Sequence, residues 1–408
     1  MPVTRNTTAQ RVMSRIEQLA AFSSMAGMVT RAYLTKEHKE AHEQIGHWMR
    51  EAGLQTWQDE VGNQWGRLVS AEPTQAPIII GSHSDTVVNA GKYDGTLGVI
   101  LAIEALDRLK DTSFPFHIDI VAFADEEGTR FNTTLLGSSG VCGMWNPEWL
   151  SIADAEGTTI GEAMKQFGLD VNAIGKASRI DEAYQSYLEV HIEQGPVLEN
   201  RNLPVGVVTG IAGAKRYLID IKGVAGHAGT VPLGLRNDAL CAVAEMISTT
   251  ERFAGEQNIV ATVGKCNIRG GAVNVIPGDV QFSLDIRSQD QALLDSSCEE
   301  LLQLFSVIAG RRNVALTAEN IYQAKAVPCD MKLQAKWANV IESVTGEPAF
   351  YLPSGAGHDA MMMANITPVG MLFLRCEKGI SHNPRENVDA SDVAITLSCL
   401  QEMILSFR

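Results

Sequence analysis

APIIIGSHSDT (residues 76–86) and HIDIVAFADEEG (residues 117–128) decide the fold. Each is a short apolar run that ends in a cluster of imidazole, hydroxyl or carboxylate groups. Residues 95–110, rich in Leu, Ile and Ala, lie between them and read as a helix. The strand, helix, strand order, with polar residues closing both strands, predicts a parallel sheet. In such sheets active sites sit at the carboxyl ends of the strands. SYLEVHIEQG (186–195) reads as a third strand of the same kind, again with polar groups at its end.

Outward from this centre the chain continues as α/β. Residues 9–52 are helical in pattern, through Ile16, Leu19 and Phe22 and then Ala41, Ile45, Trp48 and Met49. Residues 54–70 read as two short strands around Gly62-Asn63, and 130–182 as irregular and partly helical. From about 205 the rhythm changes. A strand (KRYLIDIKGV), a helix (236–255), two strands (NIVATVGKCNIR and DVQFSLDIRS), a helix (289–310) and a strand (NVALTAENIYQ) follow in turn. This β-α-β-β-α-β order matches a ferredoxin-like unit. It predicts an α+β domain over 205–327, inserted between the two parts, 1–204 and 328–408, of the α/β domain. The last part holds helix 330–346, loop 352–359, strand 368–375 and helix 389–407.

The 408 residues are 45% hydrophobic and 20% charged, enough for two domains with real cores, and they exclude a disordered chain. A formal net charge of −15 leaves no basic face for nucleic acid. Seven cysteines without a CxxC pair predict reduced, mostly buried thiols in a cytoplasmic protein. No apolar run approaches the ~20 residues of a membrane span, and MPVTRNTTAQRVMSRIEQLAAF has no signal-peptide core.

Five polar clusters stand at strand ends or in nearby loops: His83-Ser84-Asp85, Asp94, Glu126-Glu127, His191 and His382. Taken singly, each is an ordinary structural histidine or a pair of solvated acids. Together they offer mixed nitrogen and oxygen ligands suited to Zn, Mn or Co. One bridging carboxylate would allow a metal pair ~3.5–4 Å apart. Adjacent acids such as Glu126 and Glu127 can then divide metal binding from proton transfer. A second set lies in the inserted domain, in GVAGHAGTVP (223–232), GGAVNVIPG (270–278) and DIRS (285–288). There Arg287 is either a surface ion pair or a carboxylate-binding group, and Asn274 either a turn residue or a donor to an oxyanion, alongside His227.

GSHSDTVVNAGKYDG, AFADEEGTRF, VHIEQGPVLE, GHAGTVP, NVIPG, SGAGHDA and GISHNP occur in this order along nearly the whole chain. In these motifs the sequence resembles the di-metal amidohydrolase branch of the aminoacylase and carboxypeptidase superfamily. That branch includes allantoate amidohydrolase, N-carbamoyl-L-amino-acid hydrolase and β-ureidopropionase. The resemblance implies a di-metal aminopeptidase-like catalytic domain with an inserted ferredoxin-like dimerisation (lid) domain. It implies two divalent ions per subunit, Zn or Mn, held by His83, Asp94, Glu127, His191 and His382, with Asp94 bridging. Glu126 would be the general base and Asp85 would orient His83. Peptidase relatives carry an acid where this chain has His191.

The same resemblance implies a homodimer in which His227 reaches the partner's site to stabilise an oxyanion, domain closure completing it. Asn274 and Arg287 would contact substrate, with Gln194 and the SGAG loop (Ser354 to Gly357, with His358) as neighbours. The implied substrate is a small ureido carboxylate, cut to carbamate and thence ammonia and carbon dioxide. Lys215 and Arg216 bear on which one. A basic pair before Tyr217 resembles the allantoate-hydrolysing relatives and would hydrogen-bond a second ureido group, unless these are solvent-facing strand residues. The alternatives are N-carbamoyl-L-amino acids or N-carbamoyl-β-alanine as substrate, a dipeptidase or aminoacylase, and a non-catalytic ureido binder.

Overall fold

A computed structural model describes residues 2–408, with side chains from Thr8 onward. The chain divides into two compact units, one formed by Met1–Thr209 with Cys329–Arg408 and the other by Gly210–Pro328.

The first unit is built on a nine-stranded mixed sheet. Ile78–His83, Ile118–Phe123, Ser186–Ile192 and Val369–Leu374 form its centre. Ile78–His83 runs parallel to both Ile118–Phe123 and Ser186–Ile192, and Ser186–Ile192 runs parallel to Val369–Leu374. Every residue of these four strands is buried, which is why they read as largely apolar runs without an alternating polar face. Antiparallel strands close both sides: Gln64–Leu68 beside Ile118–Phe123, and Val205–Ile211 beside Val369–Leu374. The parallel centre anticipated from 76–128 is therefore present, and all four of its strands deliver their carboxyl ends to the same edge.

Helix Thr96–Leu109 packs on the sheet so tightly that a Cβ on Gly98 would come within 2.2 Å of the Val190 carbonyl oxygen. The helical pattern over 9–52 takes the form of two helices, Pro2–Ala20 and Lys36–Glu51, with a non-helical stretch between them. The break is held by Arg31, which is 2% exposed. Its guanidinium donates to Leu19 O (2.9 Å), Phe22 O (3.2 Å) and Ser84 O (2.7 Å), satisfying carbonyls at the end of the first helix. The expected loop 352–359 begins with a short strand, Tyr351–Ser354.

In the second unit the strands Cys266–Ile268, Asp279–Ser288, Gly213–Lys222 and Ala315–Ala324 lie side by side and antiparallel. Val260–Thr262 also pairs with Asp279–Ser288. Alternate residues Val280, Phe282, Leu284 and Ile286 are buried in one cluster with Val243 and Met246 of helix Ala239–Gln257 and Leu301 and Phe305 of helix Gln291–Arg312. Each helix starts on an aspartate cap, Asp238 or Asp290, and ends on a left-handed asparagine, Asn258 or Asn313. The seven cysteines form no disulfide, and five are buried. Among the described residues no helix is long and apolar enough to cross a membrane.

Candidate active site

The four parallel strands present their last residues, or the loops just after them, at one edge. His83 ends its strand, Asp125-Glu126-Glu127 follows Phe123, and His191 is next to last in Ser186–Ile192. His382 comes from the loop after Val369–Leu374, with φ of +52°. Asp94 stands on the turn before helix Thr96–Leu109, whose Gly95 has φ of +66°. A side chain at Gly95 would sit 2.4 Å from the His83 ring, so only glycine lets this turn approach.

Asp94 joins two groups of donors. Its Oδ1 lies 3.2 Å from His191 Nε2 and 3.6 Å from His83 Nε2. Its Oδ2 lies 3.1 Å from His382 Nε2, which is itself 3.2 Å from Glu127 Oε1. Donor atoms of His83, Asp94 and His191 lie mutually within 4.8 Å, as do those of Asp94, Glu127 and His382, and those of His83, Glu126 and Glu127. The tautomers follow from the acceptors. His83 Nδ1 faces the Asp85 carbonyl (3.1 Å) and His191 Nδ1 the Ile192 carbonyl (2.9 Å). A carbonyl oxygen only accepts, so each Nδ1 carries a proton, and in the neutral ring each Nε2 lone pair points inward. Those two Nε2 atoms are 3.4 Å apart, and the buried Asp94 Oδ1 between them accepts no hydrogen bond. Converging lone pairs without a donor fit a cation.

The electrostatics agree. Burial opposes charge on His83, yet Asp85 and Asp94 outweigh it and hold the imidazole well above its usual range. Asp94 and Glu127 push His382 up to about 10. Burial also opposes charge on Asp94, but His191, His382 and His83 hold its carboxyl well below the usual range. Glu126 is pushed well above the carboxylate range by burial and by the nearby Glu127, Asp359 and Asp85. The pocket is short of positive charge, which divalent ions would supply.

The Asp85 carboxylate holds the loop beside it. Its Oδ1 accepts from Glu126 N (3.0 Å) and its Oδ2 from Glu127 N (3.1 Å), fixing the backbone that carries both acids. Its carboxylate is 3.5 Å from His83 Nδ1, farther than its own carbonyl. Gln194, at φ +57°, donates to Asp94 Oδ2 and to Ser381 Oγ, both at 3.0 Å. Gly357 passes so close to Glu126 that a Cβ there would lie 3.3 Å from Oε1. His358 is fully buried, sets its ring edge-on to His191 with centroids 4.5 Å apart, and shares a 2.7 Å hydrogen bond with Ser354 Oγ. In this position it packs against His191.

Within the second unit His227 and Asn274 come together. His227 lies on Gly226–His227, paired with Val275–Ile276, and Ala228 N donates to Asn274 O. Both side chains are exposed. Arg216 and Arg287 share one partner: Asp285 accepts from Arg216 Nε (2.8 Å) and from Arg287 Nε (2.8 Å). Arg216 also lies over the Tyr322 ring. Lys215 is engaged by Asp295 at 2.6 Å.

Sequence reasoning missed Ser381 and the buried acids Asp125, Glu189 and Asp359. Ser381 is adjacent to His382 in GISHNP, a signal that adjacency alone supplies. Glu189 lies two residues before His191 on the same face of the strand, where it accepts from Ser82 Oγ and Ala360 N, each at 3.1 Å.

Residues 79–406 match the model of Peptidase family M20/M25/M40. The chain is 38% identical to the N-carbamoyl-L-amino acid amidohydrolase of Geobacillus stearothermophilus, over 97% of each protein. It is 37% identical to the allantoate deiminase of Arabidopsis thaliana, over 97% of this chain and 81% of that one. A crystal structure of an amidase of the hydantoinase/carbamoylase family from Burkholderia multivorans superposes with a TM-score of 0.91 at 31% identity, covering 98% of this chain and 97% of that one.

Proposed function

The chain belongs to Peptidase family M20/M25/M40, and from that premise we propose that its site is a two-metal hydrolase of the ureido C–N bond of a small carboxylate. It is a hydrolase of carbon–nitrogen bonds other than peptide bonds, as its amidohydrolase and deiminase relatives are named. The observation that carries this reading is Asp94, whose two oxygens face two separate ligand groups, with Glu126 near a ligand of each, His83 and Glu127.

His83, His191 and Asp94 would hold one ion, and Asp94, Glu127 and His382 the other, as Zn or Mn. Bound there, the pair would supply Lewis-acid polarisation and a more acidic water. Glu126 takes the water's proton as the oxygen attacks the ureido carbonyl, then returns it to the departing nitrogen. The carbamate released decays to ammonia and carbon dioxide. Asp85 keeps Glu126 in place through its backbone amide.

Allantoate is the preferred substrate in this reading, with N-carbamoyl-L-amino acids second. Arg216 and Arg287 both sit at the carboxylate of Asp285, guanidiniums of the kind that receive a substrate carboxylate. Asn274 and His227 are exposed donors on one ribbon, placed to serve an oxyanion. The Gly210–Pro328 unit is the ferredoxin-like dimerisation domain of this reading, and His227 acts at the partner's site. Val224, Leu233, Leu235 and Val273, which flank His227 and Asn274 in sequence, are exposed by 60% to 107%, apolar surface that a second copy would cover.

Chelation followed by add-back tests the reading. Ammonia release from allantoate should vanish on metal removal and return with Mn or Zn. Full activity after complete metal removal would overturn it.

A further inference from the structure

We infer that Glu386 is a positioning residue that clamps the two loops carrying Asp94 and His382, and so fixes the ion these two share. The inference rests on the two-metal reading of Asp94. Glu386 is 4% exposed. Its Oε1 accepts from two successive backbone amides of the Asp94 loop, Tyr93 N (2.8 Å) and Asp94 N (3.1 Å). Its Oε2 accepts from Ser381 Oγ at 2.8 Å, the residue before His382. One carboxylate thus ties together loops nearly three hundred residues apart in sequence. Ser381 Oγ also lies 3.2 Å from Asp94 Oδ2 and accepts from Gln194 Nε2. The chain from Glu386 therefore runs through Ser381 to the Asp94 oxygen that faces His382.

Two features show that the clamp is built rather than incidental. A Cβ on Gly91 would lie 2.1 Å from the Glu386 carboxyl, so this approach requires glycine there. His382 and Lys378, in the same loop, both have positive φ, at +52° and +56°. That strained backbone needs outside ties to keep one conformation. The other group has its own ties for His83 and His191, to the Asp85 and Ile192 carbonyls, and shares only Asp94 with the clamped loops. Loss of the clamp should weaken the ion of Asp94 and His382 more than the other.

The test is metal binding itself, by calorimetric titration and metal content after dialysis, on wild type and three variants. Wild type should bind two ions per chain. Glu386→Ala should still bind two ions, one of them roughly 10- to 100-fold more weakly, the range for lost supports of metal ligands, and the other weakened less. Glu386→Gln should bind both, because its amide oxygen still accepts from both backbone amides and its NH2 can donate to Ser381. Ser381→Ala, which removes one hydroxyl and carries little risk to folding, should weaken the same ion. A Glu386→Ala protein that binds two ions as tightly as wild type overturns the role of Glu386. So does a Ser381→Ala protein with unchanged affinities, or a Glu386→Gln protein that fails as the alanine variant does. A wild-type chain that binds fewer than two ions instead overturns the two-metal reading beneath it.

Discussion

Glu126 and Glu127 are adjacent, yet the structure gives them different surroundings. Glu127 Oε1 is against His382, whereas Glu126 Oε1 faces Gly357, where no side chain intervenes. Glu126→Gln should keep both ions and lower turnover about 10²- to 10⁴-fold, read as ammonia release against metal content. Full activity in that variant would contradict the assigned base. A second residue-scale prediction concerns His42, fully buried beneath Ser84 Oγ at 2.6 Å. Burial and the nearby Arg31 hold its imidazole down at about 3. The unfolded chain takes up that proton below about 6.5. The stability this group contributes is therefore present above pH 6.5 and lost as pH falls toward 3, by up to about 1.4 kcal/mol per unit. Denaturant melts between pH 7 and 4.5 should show this slope, to which the buried His38 and His358 add in the same direction, and His42→Asn should reduce it. His83, Glu127 and His191 stand out in the sequence because they close or follow apolar runs, whereas Asp94 and His382 stand in loops and carry no such signal. Gln194 and Ser381 were legible only as neighbours, because their shared hydrogen bond joins positions 187 residues apart.

At the scale of elements, the site depends on how closely helix Thr96–Leu109 lies on strand Ser186–Ile192. Gly98 sets that distance. Gly98→Ala would drive its Cβ into the Val190 carbonyl, so backbone must move. The expected loss is about 1–3 kcal/mol or more of stability. Because His191 follows Val190, metal affinity should fall with it; unchanged melting would show that the helix has slack. The parallel strands were readable from their burial on both faces. The end of the first helix was not, because 9–52 keeps an apolar rhythm throughout. What stops the helix is Arg31, whose guanidinium holds Leu19 and Phe22 carbonyls and reaches Ser84 across the fold. Such a tie is a tertiary fact that periodicity does not carry. Asp119 shows the same limit in reverse: an acid inside an apolar strand is explained by Arg67 on the neighbouring strand, paired through both oxygens at 2.6 and 2.7 Å.

At the scale of the whole molecule, the two units carry different parts of the proposed chemistry, the first the ligand groups and Glu126, the second His227, Asn274 and the arginine pair. If His227 serves the partner, two inactive variants should complement each other. Mixing Glu126→Gln with His227→Ala chains, after dissociation and reassociation, leaves one intact site in each mixed dimer. Activity should return to about a quarter of wild type for random pairing. No recovery would place His227 in its own chain's site or outside the chemistry. The central claim is the bond that is cut. The most direct measurement is ammonia and amine release by the metal-loaded protein from allantoate, N-carbamoyl-L-amino acids, N-carbamoyl-β-alanine, an N-acetyl amino acid and a dipeptide. Ammonia from allantoate, with carbamoyl amino acids next and no cleavage of the dipeptide, is the predicted result. Amine release from the dipeptide or the N-acetyl amino acid, without ammonia from any ureido compound, would contradict it.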